Sequence, residues 1–160
     1  MATIDSYLKI DGIDGESKHK DAVGQIEIQQ FAWNIDNAAS ATVGGGSGVG
    51  KAVPGLFTFM HVYDKASPTL AKSCASGKHL ANAKLTVSKA GEGQKEFLTV
   101  TMKEVMVVSV GLSGSGGGEV SESVSLSYAD IEFEYKPQDD KGALGGGVKF
   151  GLDCKSTEVR

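Results

Sequence analysis

Apolar and polar side chains alternate along much of this 160-residue chain. In its first segment Ile4, Leu8 and Ile10 fall on one side of an extended backbone, whereas Asp5 and Lys9 fall on the other. A period of two is typical of a strand with one buried face. The chain also contains 22 Gly and only 3 Pro, and this much glycine favours turns and bulges over long helices. The sequence therefore predicts a mainly β fold.

A change of phase marks the second predicted strand. Ile26 and Ile28 set the first alternation, and Trp33 belongs to the opposite one. A bulge at Gln29 or Gln30 explains the switch, and such a bulge helps a sheet curl into a barrel. Strands are predicted at 4–10, 25–34, 56–62, 80–87, 96–102, 105–112, 120–128, 131–135 and 148–152.

A single segment, at about 67–76, has the signals of a helix. Ser67 is typical of an N-cap, Pro68 is favoured at the first helical position, and Gly77 is a common C-terminal stop. We therefore predict a short helix of about three turns beside the strands.

One side of this helix is small and apolar, and it comprises Leu70, Ala71, Cys74 and Ala75. Residues four apart lie on the same helix face, so we expect this stripe to lie against the barrel wall or to close one end of it. Cys74 and Cys154 lack the spacing of metal ligands, and we interpret both as reduced thiols. A late disulfide between them is left open.

Two predicted strand regions are apolar on both faces. The segments 56–62 and 102–110 contain few polar positions. In a single-layered wall, one face packs in the core and the other is left to be covered by a further subunit. These segments are the first indication of an oligomer.

The segment 45–51 has the glycine and lysine spacing of a phosphate-binding loop. However, Ala52 stands where a hydroxyl would bind magnesium, and Pro54 and Gly55 rule out the helix that should follow. We therefore predict no nucleotide site and no cofactor. Flexible glycine-rich loops are expected instead at 44–51, 113–118 and 145–147.

The charge of the chain is nearly balanced, with 16 Lys and Arg against 20 Asp and Glu. Because no long basic run is present, nucleic acid is not an expected partner. No segment is apolar enough to cross a bilayer, and the N-terminus lacks the pattern of a signal peptide. We expect the chain to start as a cytoplasmic protein without membrane insertion.

Residues that could carry catalysis do not form a known motif. His19, His61 and His79 are scattered, and no triad or metal spacing includes them. Glu132 and Glu134 share one face of a strand, as paired carboxylates of glycosidases could, but a solvated strand face is the simpler interpretation. We predict no catalytic residue and no metal site.

Nine short segments, spread in order over nearly the whole chain, form a recognisable set. They are YLKIDGIDGES at 7–17, the glycine loop ending at 50–51, YDKASP at 63–68, CASGKH at 74–79, AKLT at 83–86, KAG at 89–91, KEV at 103–105, VSV at 108–110 and YKPQ at 135–138. Together they resemble the Hcp family, the haemolysin-coregulated tube proteins of bacterial type VI secretion. One departure lies at 31–33, where the family often has two tryptophans and this chain has one.

This resemblance implies a single domain over residues 1–160, built as a two-sheet β-barrel with one helix and without enzymatic activity. It implies a homohexameric ring with a wide pore, and rings that stack into the inner tube of a contractile injection machine. A sheath drives the tube and a spike protein caps it. The subunit is itself exported by this route, which needs no signal peptide, and can carry effector proteins in the pore.

Two sets of residues receive hypothetical roles from this resemblance. The family's long loop after the second strand lies at the stacking surface, where glycine allows the backbone to adapt. A wetted pore face also requires small or polar side chains. The stacking loop would comprise Gly44, Gly45, Gly46, Ser47, Gly48, Val49, Gly50 and Lys51, and the pore-facing set would comprise Gln30, Ala32 and Asn34.

Two other functions are compatible with a chain of this kind. A monomeric barrel that binds a small molecule would need an apolar interior large enough for the ligand. A hydrolase built on Glu132, Glu134 or His61 would need a cleft and shifted acidities.

Overall fold

The computed structural model of the chain describes residues 3–37, 51–90, 95–138 and 144–160. As predicted, the described residues are mainly strand with one helix, and they form a large ten-stranded sheet and a separate two-stranded sheet. The elements are β1 (Ile4–Ile10), β2 (Ile26–Ile28), β3 (Gln30–Ala32), β4 (Ile35–Asn37), β5 (Ala52–Pro54), β6 (Phe57–Val62), α1 (Ala66–Ser76), β7 (His79–Lys89), β8 (Glu96–Ser113), β9 (Ser121–Ser127), β10 (Asp130–Tyr135), β11 (Val148–Asp153) and β12 (Glu158–Val159).

Seven strands of the large sheet pair in an order that begins at β2 and ends at β3, which follows β2 in the chain. In order, β2 pairs with β1, β1 with β7, β7 with β8, β8 with β9, β9 with β6, and β6 with β3, all antiparallel. Only Gln29 separates β2 from β3, and its N–H donates to the carbonyl of Met60 at 2.9 Å. The predicted change of phase lies at this residue, but as a bend between two short strands and not as a bulge within one strand; here the chain changes partner and the barrel closes.

The inward faces of the barrel strands form one buried cluster. Leu8 stands opposite Ile26 on one side and Leu85 on the other, and Leu85 stands opposite Val100. These four side chains and Phe59 are almost completely buried. Since the interior is filled by side chains, the structure does not favour the small-molecule barrel considered above.

The long strand β8 corrects one prediction, because 96–102 and 105–112 were expected to be two strands. The polar residues Lys103 and Glu104 interrupt the apolar alternation, but β7 pairs with β8 on both sides of them. Glu104 bends the strand with a φ of 51°, a conformation that is uncommon outside glycine. Its carboxylate lies 2.6 Å from Nζ of Lys155.

Helix α1 ends as predicted and begins one residue early. Gly77 terminates it in the left-handed conformation, with a φ of 64°. The assignment of Ser67 as N-cap is wrong, because Ser67 lies inside the helix and is buried. Asp64 makes the contacts at the helix start instead: its carboxylate accepts from the N–H of Ala66 at 2.9 Å, and its own N–H donates to the Ser67 hydroxyl at 3.1 Å.

The buried face of α1 also differs in part from the predicted stripe. Leu70 is fully buried and Cys74 packs against the core, as expected. Ala71 and Ala75 are exposed, and Ser73 is buried in their place.

Three short strands were not predicted from the sequence. Strands β4 and β5 form a two-stranded hairpin outside the barrel sheet, and β12 pairs with the end of β11. Strands β10 and β11 extend the large sheet beyond β8. Strands β4, β5 and β12 are only two or three residues long, so they carry too little alternation to be recognised.

The predicted glycine-rich segments lie between strands where the structure describes them. The segment 113–118 begins at the end of β8 and turns through a hydrogen bond from the N–H of Gly118 to the carbonyl of Ser115. The segment 145–147 immediately precedes β11, whereas 44–50 lies outside the described residues. Among the described residues, no helix has both the length and the apolar character that a membrane span requires.

Candidate assembly surfaces

Exposed apolar side chains gather at one end of three neighbouring barrel strands. Ser121 of β9 stands opposite Val62 of β6 and also opposite Ser113 of β8, so these residues form one row. Next to this row His61 and Glu122 are buried, and four other side chains within one residue of it are apolar and exposed. They are Val62 at 38% exposure, Tyr63 at 42%, Leu112 at 65% and Val120 at 47%. We call these four residues the apolar row.

Backbone hydrogen bonds hold the apolar row together, since the N–H of Tyr63 donates to the carbonyl of Val120 at 2.9 Å. Leu56 and Val108 are also exposed, so the segments 56–62 and 102–110 do present apolar side chains to the outside. A set of this kind on a folded chain is typical of a protein interface. The chain therefore offers a surface for association.

The residues proposed to face the pore lie together on the outer face of β3 and the following turn. Gln30, Ala32 and Asn34 are exposed, while Phe31 and Trp33 between them are half-buried against the core. The ring of Phe31 stacks against that of Phe57, with centroids 6.4 Å apart. The alternation predicted for these five residues is thus present, and it leaves a small polar face open to solvent.

The proposed stacking loop is attached to the hairpin of β4 and β5. Of its eight residues, only Lys51 is described; it is exposed and comes just before β5. The hairpin ladder pairs Ile35 with Pro54 and Asn37 with Ala52. The positions from Gly44 to Gly50 lie outside the described residues, so their role stays a prediction.

A hydrogen-bonded chain joins the hairpin to the barrel. Nε1–H of Trp33 donates to the hydroxyl of Tyr128 at 2.7 Å, and that hydroxyl donates to the carbonyl of Gly55 at 2.6 Å. Burial raises the pKa of Tyr128. The ring of Trp33 also packs on Phe133, with centroids 4.7 Å apart. No signal in the sequence connects these residues, because 95 positions separate Trp33 from Tyr128.

A buried ionisable pair links β6 to β9. Nε2 of His61 lies 2.8 Å from Oε1 of Glu122, and the two side chains are 0% and 2% exposed. Nδ1 of His61 lies 3.8 Å from Oδ1 of Asp64 and makes no hydrogen bond within the described structure. A histidine between two carboxylates is common in acid–base catalysts. Here the imidazole and Glu122 are sealed from solvent, so the pair lies inside the barrel and not in an open cleft.

The two strand carboxylates considered for hydrolysis form ion pairs instead. Glu134 lies 3.3 Å from Nζ of Lys149 and 3.5 Å from Nζ of Lys136, and the hydrogen bond with Lys149 lowers the pKa of Glu134. Glu132 lies 3.8 Å from the Arg160 guanidinium. A general acid needs a raised carboxyl pKa. The arrangement therefore does not suit glycoside hydrolysis.

The remaining predicted groups are separate from one another. His19 stacks on Tyr7, with centroids 5.4 Å apart, and His79 is exposed at the start of β7. Cys74 and Cys154 are both free, and burial raises the pKa of the Cys154 thiol. In the parts of the chain that the structure describes, no cluster of three or more His, Cys, Asp or Glu is placed to hold a metal ion.

Comparisons with known proteins agree with this geometry. A family model described as "Type VI secretion system effector, Hcp" matches residues 7–135. The chain is 42% identical over 155 residues to Protein hcp1 of Pseudomonas aeruginosa, a match that covers 95% of this chain and 96% of that protein.

Solved structures give the same result for the fold. The chain resembles a structure described as that of a type six secretion system protein with a TM-score of 0.93 at 28% identity, covering 99% of this chain and 100% of the other. It resembles the crystal structure of Hcp1 from Salmonella typhimurium with a TM-score of 0.81 at 35% identity, covering 100% of both chains. Both comparisons with solved structures agree with the mainly β fold described above.

Proposed function

Because the chain belongs to the Hcp family of type VI secretion proteins, a family of structural secreted proteins and not of enzymes, we propose that it is a subunit of the secretion tube. Six copies form a ring, and rings stack into a tube that a sheath drives and a spike protein caps. The protein is itself exported and carries effector proteins inside the pore. It catalyses no reaction of its own and needs no cofactor.

The apolar row is the observation that carries this proposal. Val62, Tyr63, Leu112 and Val120 would lose water if a neighbouring subunit covered them, and each fully buried apolar side chain contributes about 1.5–3 kcal/mol. Self-association buries such a surface in every copy at once, which a closed ring achieves. Gln30, Ala32 and Asn34 supply a small polar face of the kind that a water-filled pore requires.

The proposed role of the loop means that ring formation and ring stacking depend on different residues. Gly44 to Lys51 continue from a hairpin that stands outside the barrel sheet, so their removal leaves the barrel strands unchanged. Deleting residues 44–48 is expected to leave single rings intact and to reduce the number and length of tubes.

Negative-stain electron microscopy checks this prediction directly. The wild-type protein should give annular particles end-on and tubes side-on, and the deletion variant should give annular particles alone. Tubes as long as those of the wild type would contradict the role of the loop, and the absence of rings in the wild-type sample would contradict the tube subunit itself.

A further inference from the structure

Two connecting segments, which we call the legs, join the hairpin of β4 and β5 to the rest of the chain. Trp33 and Asn34 precede β4, and Gly55 follows β5. The N–H of Gly55 donates to the carbonyl of Asn34 at 2.8 Å, so the two legs touch where they leave the barrel. A Cβ atom at Gly55 would overlap the side chain of Asn34. A side chain at residue 55 would therefore force the Asn34 side chain to move, whereas glycine lets the two legs approach without that change.

One hydroxyl group contacts both legs. The Tyr128 hydroxyl accepts a hydrogen bond from Nε1–H of Trp33 on the first leg and donates one to the carbonyl of Gly55 on the second. The distances, 2.7 Å and 2.6 Å, are at the short end of the normal range. Tyr128 itself follows β9, whose pairing with β6 brings it beside Gly55, so it connects the hairpin to the barrel sheet.

This double contact requires a neutral phenol, because a phenolate has no proton to donate to Gly55. Burial raises the pKa of Tyr128, which keeps the hydroxyl protonated across the physiological range. Trp33 is fixed independently by its ring, which packs on Phe133 and lies 6.2 Å from the ring of Phe150. The indole N–H of Trp33, the Tyr128 hydroxyl and the Gly55 carbonyl are thus held in fixed relative positions.

We propose that Tyr128 is a positioning residue whose hydroxyl sets the direction in which the hairpin leaves the barrel, and that this direction is required for one ring to contact the next. The partner is a second copy of this chain in the neighbouring ring. The inference rests on the proposed function, since it assigns to Tyr128 the orientation of the hairpin that carries the stacking loop.

The variant Tyr128→Phe tests this inference because it removes the hydroxyl and keeps the ring. The carbonyl of Gly55 and the indole N–H of Trp33 then lose their partner. Amide hydrogen exchange in β4 and β5 is expected to become about 10-fold faster or more, because two hydrogen bonds are lost. Rings should persist, and tubes should become fewer and shorter under the microscope.

Tyr135→Phe is the matched control, because Tyr135 lies on the same sheet and is about half exposed. This control should exchange and stack like the wild type. Unchanged exchange in β4 and β5 of Tyr128→Phe would overturn the inference, and so would faster exchange with wild-type tubes. If the wild-type protein forms no tubes, the proposed function fails, and exchange in β4 and β5 still shows whether Tyr128 holds the hairpin.

Discussion

At the scale of single residues, His61 and Glu122 place two ionisable side chains inside the barrel. Both side chains are almost completely shielded from water, and their hydrogen bond crosses from β6 to β9. A buried polar group that keeps its partner costs little, whereas one that loses its partner is expensive. The ring of Phe59 lies 5.6 Å from that of His61, and the Asp64 carboxylate lies 3.8 Å from Nδ1 of His61.

Replacing one member of this pair is expected to lower the free energy of unfolding more than replacing both. Glu122→Leu leaves His61 buried without its partner, and the free energy of unfolding should fall by roughly 1–3 kcal/mol. The double variant His61→Leu with Glu122→Leu removes the unpaired group and should recover part of this loss. Urea unfolding of the wild type, both single variants and the double variant measures these changes.

A double variant that loses as much stability as the sum of the two single variants would contradict this account. Such additivity would mean that His61 and Glu122 act independently. The comparison uses protein at one concentration and one ionic strength, because association also stabilises the folded chain.

At the scale of elements, backbone hydrogen bonds to the Asp153 carboxylate close the C-terminal turn between β11 and β12. Asp153 accepts hydrogen bonds from the N–H of Lys155 at 2.9 Å and of Ser156 at 3.1 Å. These bonds lower the pKa of Asp153, the one from Ser156 most. Beyond the turn, Arg160 exchanges two backbone hydrogen bonds with Gly151.

Acid should therefore loosen this turn. Because the pKa of Asp153 is lower in the folded chain than in the unfolded chain, its contribution is complete above the ordinary aspartate range and is lost as the pH falls through the folded pKa. Amide exchange at residues 155–160, corrected for intrinsic rates, is expected to rise as the pH falls below about 4.

Asp153→Asn is the control, because its side-chain carbonyl can still accept both hydrogen bonds but carries no titrating proton. The variant should show much less change in corrected exchange over the same range. An equal acid response in the variant and the wild type would show that another group controls the turn.

The sequence predicted most elements because local alternation is strong in them. Strand β1 has the predicted bounds, and the interruption at Gln29 was expected from the change of phase. The continuity of β8 was not expected, because it depends on pairing with β7 on both sides of Glu104.

Contacts between distant residues could not be inferred in this way. Glu122 lies 61 positions from His61, and Tyr128 lies 73 positions from Gly55. The exposed face of Gln30, Ala32 and Asn34 was predictable, since it follows from alternation alone. The hydrogen-bonded chain beneath the hairpin became visible only when the fold brought its parts together.

At the scale of the whole molecule, the chain folds around a filled core and still leaves apolar side chains exposed at one barrel end. The net charge of −4 is small and of mixed sign, so repulsion between copies does not oppose association strongly. Val62, Tyr63, Leu112 and Val120 lie on three adjacent strands and their ends, which hold them in fixed positions. A rigid surface of this kind loses little entropy when a second copy covers it.

The variant Val120→Asp tests whether this surface joins the copies. A carboxylate in the middle of the apolar row would be buried without a partner in a ring, so the assembly should dissociate. Val23→Asp is the matched control, because Val23 is 71% exposed and lies in the turn before β2. The control should assemble like the wild type.

Native mass spectrometry of the wild type, Val120→Asp and Val23→Asp measures the assembly most directly. The account predicts six times the chain mass for the wild type and for Val23→Asp, and the mass of a single chain for Val120→Asp. A wild-type protein that stays a single chain at every concentration tried would contradict it.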